Sequence, residues 1–326
     1  MGAKMQVPKK TGFEHTVETR LLMGTTVTIR VVSEAGHSKT SGSRRGQTAD
    51  MHSAMGRAFA AMRFVEATCS RFSEDSALRE LCRHPGETMR VPAALFETIR
   101  LAVEMSALTD GVFDPTVGGV LESHGFNRHY LTGEAADSDI MSAEPVSYRD
   151  ITLDEKEGTV LLHKPMLLDL GAVAKGLAID LAARELADWD GFAIDAGGDL
   201  YVHGMDFTGE PWTVGVQHPL SKDAVICWLQ TTDVAICTSG SYERRSPLAN
   251  EIHHLINPLT GESVHGLLSC TVVAPLAMLA DAVSTAAFVL GAKRALDFVS
   301  GLDLQGLCID ETLDMTMTDS MERYLK

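Results

Sequence analysis

The sequence predicts a single large α+β domain with two lobes, in which mixed or antiparallel sheets are flanked by helices. Strand-like runs cluster along the chain and helices form separate groups, whereas a doubly wound sheet would alternate the two regularly. No clear linker divides the 326 residues, and a chain of this length can bury a large core. We therefore place one domain at residues 16–326, after a flexible N-terminus at 1–15.

The spacing of apolar residues predicts the individual elements. Residues 16–32 read as a strand pair, and the Ser- and Gly-rich stretch 33–50 predicts a mobile loop. Helices are predicted at about 51–70, 75–83, 92–109, 173–188, 276–290 and 292–300. Strands are predicted at about 149–154, 159–163, 166–169, 192–196, 199–203, 212–216, 225–229, 234–238, 252–256 and 268–274, before a final strand pair and a short helix. Asp75 and Ser76 are alternative N-caps for the helix at 75–83.

Composition limits the classes of function. A formal net charge of −16 argues against nonspecific binding to nucleic acid or to an anionic membrane. An anionic substrate would therefore need a metal ion, a lysine or backbone N–H groups. No apolar run reaches the roughly 18–20 residues of a membrane span, and no secretion signal is recognisable near the start. The six cysteines contain no CxxC pair, which suggests buried thiols in a reducing compartment, and we expect a cytoplasmic protein.

Asp281 and Thr285 are the most informative pair in the chain. They follow the strand-like run 270–275 and lie four residues apart at the start of a predicted helix, so they share one helical face. A carboxylate and a hydroxyl are hard oxygen ligands of the kind that Mg²⁺ prefers. A helix cap or a solvated turn is the more common explanation of such a pair when it occurs alone.

Three further segments carry matching chemistry. In Asp169–Gly176 a strand end enters a helix through small residues, and Lys175 adds a positive charge beside a helix N-terminus, which favours phosphate. A close helix–strand crossing with a solvated Lys175 explains that segment equally well. The Gly-Gly turn at 196–199 allows either a hairpin or close ligand contact. His253 and His254 precede an Asn-Pro turn, and either could transfer a proton, although a lone histidine is usually structural.

Taken in chain order, a series of segments resembles the FAD:protein FMN transferases, the ApbE-like family. The similarity spans roughly residues 20–310. The matching segments are Met23–Thr25, Arg71–Ser73 with Ser76 and Leu78, Gly111–Gly118, Asp169–Gly176, Gly197–Asp199, Thr238–Gly240 with Tyr242–Arg244, His254–Gly261 and Asp281–Thr285.

The resemblance implies a Mg²⁺-dependent enzyme that binds FAD, splits its pyrophosphate and attaches FMN through phosphate to a Thr or Ser of a target protein, with release of AMP. It implies that Mg²⁺ is held by the side chains of Asp281 and Thr285 and by a backbone carbonyl near Ala172. It implies catalytic roles for His254, as the active-site histidine, and Asp281. The FAD contacts that it implies are Met23, Val112, Phe113, Asp114, Asp169, Lys175 and Ile256.

The chain departs from the family pattern at three positions. Cys82 and Asp195 stand where the family usually has asparagine, and Ser241 stands where an acidic residue is common. Two alternatives to flavin transfer remain open: an FAD pyrophosphatase that gives FMN and AMP, and a non-catalytic FAD-binding protein. The expected partners are FAD and an acceptor protein, with no nucleic acid and no transmembrane segment.

Overall fold

A computed structural model describes residues 12–34, 44–128, 133–135, 138–140, 144–249 and 251–326. An eight-stranded sheet with strand order β1-β2-β6-β7-β10-β13-β14-β15 forms its centre. The strands of this sheet are β1 Phe13–Leu22, β2 Thr25–Glu34, β6 Gly191–Ala196, β7 Asp199–Gly204, β10 Val234–Gly240, β13 Leu267–Ala274, β14 Gln305–Asp310 and β15 Met315–Met317. Its strand pairs are antiparallel, which confirms the predicted α+β class.

Helices and three small sheets surround this centre. The α-helices are α1 Arg44–Cys69, α2 Ala77–Arg83, α3 Ala93–Leu108, α4 Gly118–Ser123, α5 Ala174–Leu186, α6 Ala277–Leu290 and α7 Ala292–Gly301, and a terminal 3₁₀ helix covers Asp319–Tyr324. The remaining strands are β3 Thr88–Arg90, β4 Ile151–Asp154, β5 Thr159–Leu162, β8 Trp212–His218, β9 Ser221–Thr231, β11 Ile256–Asn257 and β12 Glu262–Ser263. Within the described ranges, no helix is both long and apolar enough to cross a membrane.

The central sheet buries both of its faces, because successive side chains of a strand point to opposite sides. On β10, Cys237 belongs to the core formed with helices α1, α5 and α6, whereas its neighbour Ile236 belongs to a second core with Trp212 of the β8–β9 hairpin. Val272 and Val273 of β13 divide between the two cores in the same way. The sheet is therefore a rigid layer, and helices α5 and α6 lie together on one side of it.

Several predicted boundaries differ from the structure. Strand β1 begins at Phe13 and helix α1 begins at Arg44, inside the segments predicted as a flexible end and as a loop, while 1–11 and 35–43 lie outside the described residues. The strand predicted at 166–169 is wrong: this apolar run is buried, but the Asp169 N–H donates to the Pro115 carbonyl at 2.8 Å and not to a strand ladder. Ser76, not Asp75, caps α2, since its hydroxyl accepts the Arg79 N–H at 3.0 Å.

Helices α5 and α6 are in close contact at Gly176. A Cβ atom at this position would lie 2.3 Å from the Ala277 carbonyl oxygen, so no other residue fits without moving helix α6. We expect Gly176→Ala to lower the free energy of unfolding by about 3 kcal/mol, since overpacking against backbone cannot be relieved by a rotamer change. Urea unfolding followed by circular dichroism measures this loss.

Gly56 provides the matched control for that substitution. It lies inside helix α1, and a Cβ there would meet no atom within 4 Å. Gly56→Ala should therefore raise the free energy of unfolding by about 0.5–1 kcal/mol through its better helix propensity. Equal effects of the two substitutions would contradict the close contact between helices α5 and α6.

Candidate functional site

The segment Asp169–Gly176 leads into helix α5 and meets helix α6 directly. The Gly176 N–H donates to Asp281 Oδ2 at 3.0 Å. In an uninterrupted helix this N–H would donate to the carbonyl of Ala172, four residues earlier. Helix α5 begins at Ala174, however, so Gly176 is in its first turn, where N–H groups have no acceptor within the helix, and Ala172 precedes the N-cap Val173. The two most informative stretches of the sequence therefore lie in one place.

Helix α6 begins immediately beside helix α5. Asp180 of α5 accepts the first backbone N–H groups of α6, from Ala277 at 2.8 Å and from Met278 at 2.9 Å, although burial raises the pKa of this carboxyl. One turn further along α6, Asp281 is only 3% exposed. The carboxylate of Asp180 thus caps the N-terminus of α6 in place of a side chain of α6 itself. It thereby fixes the position of Asp281, one turn later.

Thr285 occupies the next turn of α6, on the face shared with Asp281. Its hydroxyl lies 2.8 Å from Ser239 Oγ at the end of strand β10, and Ser239 Oγ also lies 2.9 Å from Ser284 Oγ. Ser239 and Ser284 are buried, whereas Thr285 is half-buried. The sheet therefore helps to orient the Thr285 oxygen.

Lys175 lies between two buried carboxylates. Its ammonium group pairs closely with Asp199 Oδ2 and lies 3.4 Å from Asp281 Oδ1. The other oxygen of Asp199 accepts the Thr238 N–H at 3.0 Å. Buried charges are stable only when they are paired and hydrogen-bonded, as these are. Lys175 is thus not the solvated lysine of the alternative explanation, since its side chain is 20% exposed.

The residues at this position fit a hard divalent cation. The described part of the chain contains no group of three or more His, Cys, Asp or Glu side chains that could hold a metal ion. Mg²⁺ does not need such a group, because it keeps several waters and takes phosphate oxygens from its substrate. The Asp281 carboxylate and the Thr285 hydroxyl share one face of α6, and the Asp281 carboxylate meets the start of α5, just after Ala172.

A second polar cluster is centred on Asp169, at the other end of the same segment. Arg71 Nε donates to Asp169 Oδ2 at 2.5 Å, and Arg71 Nη2 donates to the Phe126 carbonyl at 2.5 Å. Asp169 Oδ1 accepts the Gly171 N–H at 2.8 Å. Burial by itself raises the pKa of Asp169, but Arg71 and the Gly171 N–H outweigh it, and the pKa lies below its ordinary value. Asp169 is therefore a fixed carboxylate.

His254 belongs to this second cluster. Its ring lies edge-on to Phe126, with centroids 6.5 Å apart, and its Nδ1 lies 3.4 Å from the Arg244 carbonyl oxygen. A carbonyl oxygen can only accept, so Nδ1 carries the hydrogen and Nε2 keeps its lone pair. Burial, and then the Arg244 charge, lower the pKa of His254 to about 3. The imidazole is thus neutral near pH 7.

His253 has a different environment from its neighbour. It is 2% exposed, its Nε2 is 2.8 Å from the Val264 carbonyl oxygen, and its Nδ1 accepts the Leu255 N–H at 3.3 Å. Both ring nitrogens are therefore used within the protein. The predicted strand at 252–256 is also largely wrong, because only Ile256–Asn257 forms strand β11, and His253 makes a single isolated antiparallel bridge with Arg245.

The low pKa of His254 predicts how stability depends on pH. The ordinary pKa of 6.5 applies in the unfolded chain, and the value of about 3 applies in the folded one. Between these values the unfolded state binds more protons, so stability is lost as the pH falls from about 6.5 towards 3. Urea unfolding at pH 7 and pH 5 should show a smaller loss for His254→Gln than for the unsubstituted protein. Equal losses would contradict a neutral His254 ring in the folded protein.

The remaining predicted FAD contacts differ in their burial and hydrogen bonds. Asp114 is buried and accepts the Thr116 and Tyr148 N–H groups at 2.9 and 2.8 Å, so its carboxylate is already used by the backbone. Phe113 and Ile256 are also buried, and Val112 is half-buried. Met23 lies in the β1–β2 turn with a φ of 53°, and its N–H donates to Glu66 at 2.8 Å.

The three departures from the family pattern have local explanations. Cys82 is 1% exposed, and burial raises the pKa of its thiol to about 11, so it is an unreactive core residue. Asp195 Oδ1 accepts the Gly198 N–H at 3.0 Å and thereby closes the Gly-Gly turn. Ser241 is buried, and its hydroxyl donates to the Leu268 carbonyl at 3.4 Å.

Sequence reasoning assigned no role to Arg71, Asp180, Asp199 or Ser239. Arg71 and Asp199 lie in segments that carried the family resemblance, but nothing local indicates their partners. For Asp180 the sequence did contain a signal. It lies four residues after Gly176 on the same predicted helix, so its carboxylate would face the buried side.

Comparisons with known proteins place the chain beside one family. The ApbE family model matches residues 23–308. A FAD:protein FMN transferase of Klebsiella pneumoniae (strain 342) is 31% identical over 253 residues, which cover 74% of this chain and 71% of that protein. One from Salmonella typhimurium is 32% identical, with 71% and 69% covered. The crystal structure of the ApbE protein from Thermotoga maritima matches 96% of this chain and 100% of its own, at 28% identity and a TM-score of 0.81.

Proposed function

Because this chain belongs to the ApbE family, we propose that it is a Mg²⁺-dependent FAD:protein FMN transferase. It cleaves FAD and attaches FMN through its phosphate to a Thr or Ser hydroxyl of an acceptor protein. The contact between Asp281 and the 169–176 segment carries the proposal, since the Gly176 N–H and Lys175 both meet this carboxylate. A diphosphate can bind to a metal ion held by oxygen donors, to a cationic side chain and to a helix N-terminus.

Asp281, Thr285 and the Ala172 carbonyl would hold the Mg²⁺. The bound ion would supply positive charge that neutralises the diphosphate and the leaving phosphate of AMP. Lys175 contributes a further positive charge, which a protein of net charge −16 needs near an anionic substrate. Asp169, fixed by Arg71, suits a hydroxyl or ring N–H of FAD better than a phosphate, because it is an acceptor.

His254 is suited to remove the proton of the acceptor hydroxyl. In the transfer step the hydroxyl oxygen forms a bond to the FMN phosphorus, the bridging P–O bond breaks, AMP leaves with the bridging oxygen, and the hydroxyl proton passes to Nε2. The neutral ring can accept this proton, and an anionic substrate nearby would raise its affinity for it. The engaged nitrogens of His253 favour His254 for this role.

Mass spectrometry of a flavin-acceptor domain tests this proposal. After incubation with this protein, FAD and Mg²⁺, we expect the domain to gain the mass of one FMN less water. The gain should disappear with EDTA and with an acceptor whose Thr or Ser is replaced by Ala. FAD cleavage beside an unmodified acceptor would instead support a pyrophosphatase. Intact, protein-bound FAD would support a non-catalytic FAD-binding protein.

A further inference from the structure

Asp199 has a position that the proposed function does not explain. It is 3% exposed and follows the Gly-Gly turn at the start of strand β7. The turn does not require this carboxylate, because Asp195 already accepts the Gly198 N–H at 3.0 Å. Asp199 instead uses one oxygen for the Thr238 N–H of strand β10 and the other for the ammonium group of Lys175. A buried carboxylate fixed in this way determines where Lys175 lies.

Lys175 and a metal ion would compete for the same oxygen of Asp281. Asp281 Oδ2 accepts the Gly176 N–H, so Oδ1 is the oxygen left for a cation. The Lys175 ammonium lies 3.4 Å from this Oδ1, a longer separation than its pairing with Asp199. In a site shielded from water, an ammonium group in full contact with Oδ1 would oppose the binding of a divalent cation by several kcal/mol.

We propose that Asp199 is a positioning residue that holds Lys175 away from Asp281 and so keeps Asp281 Oδ1 available to a divalent cation. This inference rests on the proposed function, because it takes Asp281 as a metal ligand. Without the charge of Asp199, the Lys175 ammonium would pair fully with Asp281. Asp199 therefore acts on the metal through Lys175, and its effect should vanish when Lys175 carries no charge.

Binding of Mn²⁺ in the absence of FAD measures this competition without any catalytic step. The loss of the free-ion signal in electron paramagnetic resonance gives the Mn²⁺ affinity of the unsubstituted protein, Asp199→Asn, Lys175→Met and the double variant. We expect Asp199→Asn to weaken binding by about tenfold, which corresponds to a coupling free energy of about 1.4 kcal/mol. We expect the double variant to match Lys175→Met. Asp297→Asn, at an exposed position of helix α7, controls for net charge.

Each outcome decides a different point. If Asp199→Asn lowers the Mn²⁺ affinity equally in the presence and absence of Lys175, Asp199 merely attracts the cation. If Asp199→Asn leaves the Mn²⁺ affinity unchanged, Asp199 has no effect on the metal. Either result overturns this inference and leaves the proposed function intact. Absence of Mn²⁺ binding by the unsubstituted protein would overturn both.

Folding of the variants is checked by thermal unfolding. The amide oxygen of Asn can still accept the Thr238 N–H, so Asp199→Asn should fold. If it does not, Lys175→Met decides the question alone. This variant must bind Mn²⁺ more tightly than the unsubstituted protein, and an equal or weaker affinity would contradict the competition for Asp281.

Discussion

Asp281→Ala should lower Mg²⁺-dependent FMN transfer by about 10³-fold, because it removes the one carboxylate that we assign to the metal. Asp281→Asn should lower transfer to a similar extent while keeping an acceptor for the Gly176 N–H. The alanine variant leaves that buried N–H unpaired, which costs about 1–3 kcal/mol of stability, and the asparagine variant should not. Initial rates of acceptor modification at several Mg²⁺ concentrations, together with urea unfolding, separate the two effects.

The control for this pair of variants is Asp297→Asn. Asp297 lies at an exposed position on the neighbouring helix α7 and is not one of the residues that form the cluster around Asp281. We expect its transfer rate and its dependence on Mg²⁺ to equal those of the unsubstituted protein. Full activity of Asp281→Asn would remove Asp281 from the metal site.

His254→Ala should lower kcat by about 10²–10⁴-fold with little change in the affinity for FAD, since general-base assistance acts on the transfer step and not on binding. Its thermal stability near pH 7 should be almost unchanged, because Nδ1 makes only a 3.4 Å contact with the Arg244 carbonyl. Single-turnover kinetics with saturating FAD measures the rate, and the change in flavin fluorescence measures the affinity.

His253→Ala supplies the contrast for this prediction. It removes a ring whose two nitrogens bond to the Val264 carbonyl and the Leu255 N–H within the protein. We expect a loss of about 2–4 kcal/mol in the free energy of unfolding, from lost packing and an unpaired carbonyl. A loss of FAD affinity alone in His254→Ala, with kcat unchanged, would reassign His254 to binding.

The sequence was sufficient for those parts of the site that depend on local spacing. Asp281 and Thr285 share a helical face because they are four residues apart, and small residues at 171–176 indicated a close approach of backbone. Neither inference needs knowledge of the fold. The α+β class likewise follows from the order of strand-like and helix-like runs, and the eight-stranded antiparallel sheet with flanking helices confirms it.

The charge pairs could not be predicted, because they join positions that only the fold brings together. Arg71 and Asp169 are 98 residues apart, and Lys175 and Asp281 are 106 apart. The strand predictions at 166–169 and 252–256 also failed, because burial of apolar residues does not by itself specify a strand. The Asp169 N–H bonds to the Pro115 carbonyl outside any strand pair, and 252–256 contributes a single isolated bridge, in which the Ser246 N–H donates to the Ile252 carbonyl at 2.8 Å.

Anomalous diffraction from crystals grown with Mn²⁺ and ADP tests the central claim most directly. ADP carries a diphosphate but no flavin, so it reports the phosphate site without turnover. The account predicts an anomalous peak bound by the side chains of Asp281 and Thr285 and the Ala172 carbonyl, with the diphosphate bound to the same ion. A diphosphate bound elsewhere, with no peak beside Asp281, would contradict it.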